Sequence, residues 1–142
     1  MKKQIALTLI LVLVTCIICS CNIGGVGNGG SSGGEGSLWD SATYSESSSV
    51  GNGAKTFSLS IEAEGKAVTL TVNTNEEILG TALYSLGIIN DPTFFDTANG
   101  ITADWNKDNA YWAFYIGDTM ASVGVGDVST EEGAVYKFVY TK

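Results

Sequence analysis

The sequence predicts a small α+β domain with a mostly antiparallel sheet and one amphipathic helix. Three observations point to it: two successive apolar–polar alternations, a run at helical spacing after them, and further extended stretches toward the end. Phe57, Leu59, Ile61 and Ala63 alternate with Thr56, Ser58, Ser60 and Glu62, the pattern of a half-buried strand. Glu64-Gly65-Lys66 is a turn signal, and beyond it Val68, Leu70 and Val72 alternate with Thr69, Thr71 and Asn73. The two runs form a β-hairpin. Thr74, followed three residues later by Glu77, makes a capping box. Ile78, Leu79, Ala82, Leu83 and Leu86 then recur at helical spacing as far as Gly87, which suits the left-handed position that ends a helix. A short extended stretch through Phe94 and Phe95, a turn at Asn99-Gly100, and strands over 111–116, 121–125 and 135–140 follow. In Tyr111–Ile116 both parities are apolar, which predicts a strand that is central or covered on both faces. Hairpin, helix, then further strands is the order of a β-grasp-like domain, and residues 55–142 suffice for one modest core without disulfides.

Composition narrows the function. The 142 residues hold 7 basic side chains, all Lys, against 15 acidic ones, giving a formal net charge of −8. With no His, neither a Ser-His-Asp triad nor a His-ligated zinc site can be assembled. Without Arg, and with this acidic balance, the chain is a poor partner for nucleic acid, whose affinity comes largely from neutralised phosphates. A binding or structural module is expected, not an enzyme.

The first 20 residues read as an export signal. Lys2 and Lys3 precede an apolar run that ends in small residues before Cys21. Ile18-Cys19-Ser20-Cys21 resembles the lipobox of bacterial lipoproteins, departing from it at Cys19, where a small residue is usual. The resemblance implies that Cys21 is lipidated and begins the mature protein, anchored in the cell membrane on its extracytoplasmic face. Cys16, Cys19 and Cys21 are the only cysteines, so no disulfide is available to the mature domain. Residues 22–54 contain 10 Gly and 8 Ser, the composition of a flexible tether with a reach of roughly 30 Å. Leu38, Trp39 and Tyr44 are unusual in such a tether: they either dock on the domain or form a small recognition patch, and docking is the favoured reading. The expected organisation is therefore signal (1–20), lipidated Cys21 and tether (21–54), and domain (55–142).

Residues 99–118 (NGITADWNKDNAYWAFYIGD) and the closing SVGVGDVSTEEGAVYKFVYTK, with LWDSATYSE and the LGTAL helix, carry a family resemblance. They are similar to the domain of unknown function related to the carboxy-terminal β-domain of transcobalamin and intrinsic factor, whose bacterial members are commonly surface lipoproteins. The resemblance implies a binding role with cobalamin or a related corrinoid as a possible class of ligand. In cobalamin-binding members a polar side chain follows the Trp of the Tyr-Trp strand, whereas here Ala113 and Phe114 follow Trp112. Trp105, Trp112 and Phe114 are the matching positions that could line a ligand surface, the alternative being core aromatics at strand spacing.

Three further constellations bear on chemistry. Asp104, Asn106 and Asp108 present oxygens at alternate positions, as a calcium loop does, but lack the glycine and bidentate glutamate of an EF-hand. A turn rich in Asp and Asn explains the same residues. Glu76-Glu77, at the helix start, and Glu131-Glu132, in a turn, read as solvated carboxylates rather than as an acid–base pair. The Gly124-Val125-Gly126-Asp127 cluster lacks the helix and Lys of a phosphate cradle. The expected function is a lipid-anchored binding module for a corrinoid-like or other small hydrophobic ligand. The alternative is a surface protein-interaction or structural domain with no small ligand.

Overall fold

The computed structural model describes residues 36–142. The signal, Cys21 and the first part of the tether lie outside the described residues. The described chain is a mixed α+β fold with a six-stranded sheet, a two-stranded hairpin and two helices. The elements are β1 (Ser48–Gly51), β2 (Lys55–Ala63), β3 (Lys66–Thr74), α1 (Leu79–Ser85), β4 (Thr97–Ala98), β5 (Ile101–Thr102), α2 (Trp105–Asp108), β6 (Tyr111–Ile116), β7 (Thr119–Met120) and β8 (Val135–Thr141). The large sheet runs β1-β3-β2-β8-β6-β7, with β4 and β5 forming the separate hairpin.

The β2–β3 hairpin follows directly from the alternation. Phe57 faces Val72, Leu59 faces Leu70 and Ile61 faces Val68, and all six side chains are buried. Burying each large apolar side chain stabilises the fold by about 1.5–3 kcal/mol, so this hairpin supplies a large share of the core. Its two-residue loop holds Glu64 at φ 51° and Gly65 at φ 74°, positive values that match the twist of the flanking strands. Strand β8 lies between β2, which it pairs in parallel, and β6, which it pairs antiparallel. Tyr136 and Phe138 point from β8 into the core, where the Tyr136 ring meets Phe57 edge-on at 5.2 Å.

The sheet is mostly antiparallel, with three antiparallel pairings and two parallel ones, β1 with β3 and β8 with β2. Several other expectations require correction. Strand β1 lies inside the expected tether, so ordered structure begins well before residue 55. The expected single helix is joined by the four-residue α2, and α1 is shorter than expected, starting at Leu79 without a side-chain cap. Thr74 ends β3, and its hydroxyl accepts a bond from the Glu76 amide, so no capping box forms. The carbonyls of Glu76 and Glu77 instead accept from the Thr130 hydroxyl (2.6 Å) and amide (2.8 Å), which keeps this segment, and both glutamates, outside the helix. Glu132 is also more than solvated: its carboxylate accepts from the Thr56 amide at 2.6 Å.

Phe94 and Phe95 lie in a turn, not a strand, because the Asp91 carboxylate takes the amides of Thr93 and Phe94, both at 2.8 Å. These bonds favour the ionised form and hold the Asp91 carboxyl below its ordinary range. Residues 121–125 are likewise not a strand: β7 stops at Met120, and the chain turns to pack beneath α1, where the Leu79 amide donates to the Val128 carbonyl at 2.8 Å. There Gly80 packs so closely on the Pro92 carbonyl that a Cβ at this position would collide with it.

Two outcomes follow from this packing. Gly80→Ala is expected to cost about 2 kcal/mol or more in urea denaturation, although alanine is the better helix former, whereas exposed Thr81→Ala should change stability by no more than about 0.5 kcal/mol. Burial pushes the Tyr136 phenol up, and its hydroxyl donates to the Ser129 carbonyl at 3.1 Å. The neutral phenol is the form favoured on folding. Its contribution is therefore complete below the ordinary value of about 10 and is lost as pH rises through the higher folded value. Urea midpoints measured from about pH 9 to pH 12 should fall less steeply in Tyr136→Phe than in the parent chain.

Candidate functional site

A cleft of about 480 Å³ opens beside the β4–β5 hairpin, walled by residues of 95–96, 102–106 and 110–112. Its construction begins at the Asn99-Gly100 turn, where φ values of 53° and 79° close a tight hairpin. Asn99 is fully buried and all its polar atoms are used. Its Oδ1 accepts from the Tyr44 amide and its Nδ2 donates to the Tyr44 carbonyl, both at 2.8 Å. Its backbone amide donates to the Ile88 carbonyl at 2.7 Å, and its carbonyl accepts from the Thr43 amide at 2.9 Å. The turn is thereby fixed between the N-terminal strap and the segment after α1.

Beyond the hairpin, Asp104 caps α2 by accepting from the amides of Asn106 (2.9 Å) and Lys107 (3.1 Å). Asn109, at φ 51°, ends the helix and returns the chain to β6. Trp105 on α2 is 61% exposed, and Tyr111 at the start of β6 is 42% exposed. Their ring centroids lie 6.1 Å apart with planes at 62°. Trp112 is only 8% exposed. Its indole nitrogen donates to the Ile101 carbonyl at 3.3 Å, and its ring meets Tyr140 edge-on at 5.4 Å. Phe95, which also lines the cleft, packs against Phe138 at 4.6 Å.

Of the aromatics singled out in the sequence, Trp105 and Trp112 thus meet in one cleft, the first as an open wall and the second as a buried support. Phe114 does not line it. It is half-buried against Tyr136 and Phe138, on the core side of the sheet. Asp104, Asn106 and Asp108 fall at the cap and along α2, where successive residues turn by about 100° and alternate positions diverge. Among the described residues, no group of three or more His, Cys, Asp or Glu is placed to hold a metal ion. Phe95, Asp96 and Tyr111 were not anticipated as cleft residues; the one sequence signal for Asp96 is the Asn99-Gly100 turn, which folds it back beside Ala103.

The tether aromatics dock. Leu38, Trp39 and Tyr44 pack against the core, the Trp39 indole donates to the Ala63 carbonyl at 2.9 Å, and the Lys66 ammonium sits 4.5 Å from the Trp39 ring centroid. A smaller cleft of about 190 Å³ flanks the β2–β3 turn, but its Glu64 carboxylate is occupied by the Ser37 hydroxyl and the Leu38 amide.

Fold and site together define a small α+β domain bearing one aromatic-walled cleft with acidic residues at its rim. No family model and no curated protein matches the chain. Among solved structures, a "putative metal binding protein" from Ruminococcus gnavus ATCC 29149 is similar over 63% of this chain and 98% of its own, with a TM-score of 0.57 and 16% identity. At that identity the likeness shows a shared fold. Haptocorrin in complex with Cbi aligns with 62% of this chain and 25% of its own, with a TM-score of 0.43 and 18% identity.

Asp104→Ala should cost about 1 kcal/mol and speed amide exchange at Asn106 and Lys107, whereas Asp104→Asn, which keeps an accepting oxygen, should leave both nearly unchanged.

Proposed function

We propose that this chain is a lipid-anchored, extracytoplasmic, non-enzymatic binding module that holds a small ligand in the cleft beside the β4–β5 hairpin. The observation that carries this reading is the open wall formed by Trp105 and Tyr111. Two large rings left in water beside a cavity of ligand size are what a binding site requires and what a merely structural turn does not. The lipobox at Cys21 and the Gly/Ser-rich tether support presentation outside the membrane. The motifs shared with the transcobalamin C-terminal-like domain support membership of that group and a corrinoid as one class of ligand. The hairpin–helix–strand order, with β8 returning between β2 and β6, supports a β-grasp-like classification.

An interaction domain without a small ligand is the alternative reading, favoured by the exposed Ile116, Met120, Val123 and Val135. NMR of the isotopically labelled chain separates the two, because Trp39, Trp105 and Trp112 give three distinct indole signals. Titration with cobinamide is expected to shift the Trp105 and Trp112 signals and leave Trp39 in place. Unmoved signals at high micromolar ligand would contradict the corrinoid version. The anchor has its own test: Cys21→Ser is expected to release the protein from the membrane fraction and abolish incorporation of labelled fatty acid.

A further inference from the structure

We infer that the cleft selects a small organic cation, an ammonium-bearing molecule held between the Trp105–Tyr111 pair and the carboxylates of Asp96 and Asp104. The inference deepens the binding reading above and rests on it. Trp105 and Tyr111 meet edge to face, at 62° across 6.1 Å, so they do not stack on each other, and both stay exposed beside the cleft. The face of an aromatic ring carries the negative part of its quadrupole, and a cation seated against an exposed face is attracted to it.

The acidic side of the cleft comes from the hairpin register. Thr97 faces Thr102, and the Ala103 amide donates to the Asp96 carbonyl at 2.8 Å, which sets Asp96 opposite the residue before Asp104, and both acids line the cleft. Each carboxylate spends one oxygen on structure. Asp96 Oδ1 accepts from the Asn90 side-chain amide at 2.7 Å and the Thr97 hydroxyl at 2.9 Å, while Asp104 Oδ1 caps α2. The second oxygen of each accepts no hydrogen bond among the described residues, and neither carboxylate has an ion-pair partner there. Lys107 does not line the cleft. Two acidic residues without an ion-pair partner among the described residues thus line the cleft, in a chain of net charge −8, a field that repels anions and concentrates cations.

Aromatic surface decides between kinds of cation. Among the described residues no three His, Cys, Asp or Glu come together to hold a metal ion, and the two carboxylates of the cleft fall short of such a group. Aromatic surface beside them offers a hard metal ion no ligand, but suits a positive charge spread over methyl or methylene groups.

The test is to titrate the labelled full-length chain with choline, with its uncharged carbon isostere and with calcium chloride, reading the three indole signals. Choline is expected to move the Trp105 signal and leave Trp39 still, and to bind at least about fivefold more tightly than the neutral isostere. Asp96→Asn combined with Asp104→Asn keeps the accepting oxygens and the helix cap. This double variant should weaken choline binding about fivefold and leave the isostere unaffected. Equal affinity for choline and the isostere, or choline binding unchanged in the double variant, would overturn cation selectivity while leaving the cleft a binding site. A calcium response with none to choline would overturn the inference in favour of a metal site. Silence of all three probes at the cleft would overturn it, and silence toward cobinamide as well would remove the binding reading with it.

Discussion

One buried amide ties together parts of the chain that are far apart in sequence. The Asn99 side chain offers Tyr44 a donor and an acceptor side by side, as the edge of a strand would, while its own backbone bonds to Ile88 and Thr43. Few residues can do this. The position has φ 53°, which asparagine tolerates better than most side chains, and burial is complete, so any polar atom left unpaired would cost about 1–3 kcal/mol. Gly100 beside it has φ 79° and packs so close to the Ser41 carbonyl that a Cβ would strike it. Strap and hairpin are therefore fixed as one unit.

That unit positions the cleft. The hairpin places the Ile101 carbonyl under the Trp112 indole and sets Asp96 opposite Ala103, next to the Asp104 cap of α2. From the cap follow the short helix, the exposed Trp105, the left-handed Asn109 and the return to Tyr111. Neither aromatic wall has a large core of its own. Their relative geometry is inherited from a turn whose Asn99 side chain is buried against the Tyr44 backbone.

How much of this was legible depends on the range of the forces involved. The alternation of β2, β3 and β8 was readable because a side-chain period of two is local, and Glu64-Gly65 and Asn99-Gly100 were readable as turns for the same reason. The start of α1 was not, because the backbone of Glu76 and Glu77 is claimed by Thr130, more than 50 residues away. Phe114 read as a site residue through the family resemblance, as a position matching the Tyr-Trp strand, and it shares a parity with Trp112. On the twisted sheet that parity is the core face, and only the end of the strand reaches the cleft. Leu38, Trp39 and Tyr44 were legible as docking residues because apolar side chains stand out in a Gly/Ser-rich segment, but the four residues that add a strand to β3 were not, since their composition is that of the tether around them. Composition describes what a segment cannot bury alone; it does not describe what another segment offers it.

The cleft depends on Asn99 holding the hairpin through its side chain and not merely through its backbone angle. Asn99→Gly separates the two, since glycine accepts the positive φ and removes only the amide bonds to Tyr44. The decisive measurement is hydrogen exchange of the Trp112 indole N–H in this variant under native conditions. Faster exchange at Trp112, together with loss of protection at the Tyr44 amide, is the predicted result. Trp112 protection equal to that of the parent chain would show that the cleft stands without the Asn99 clamp and would contradict the account.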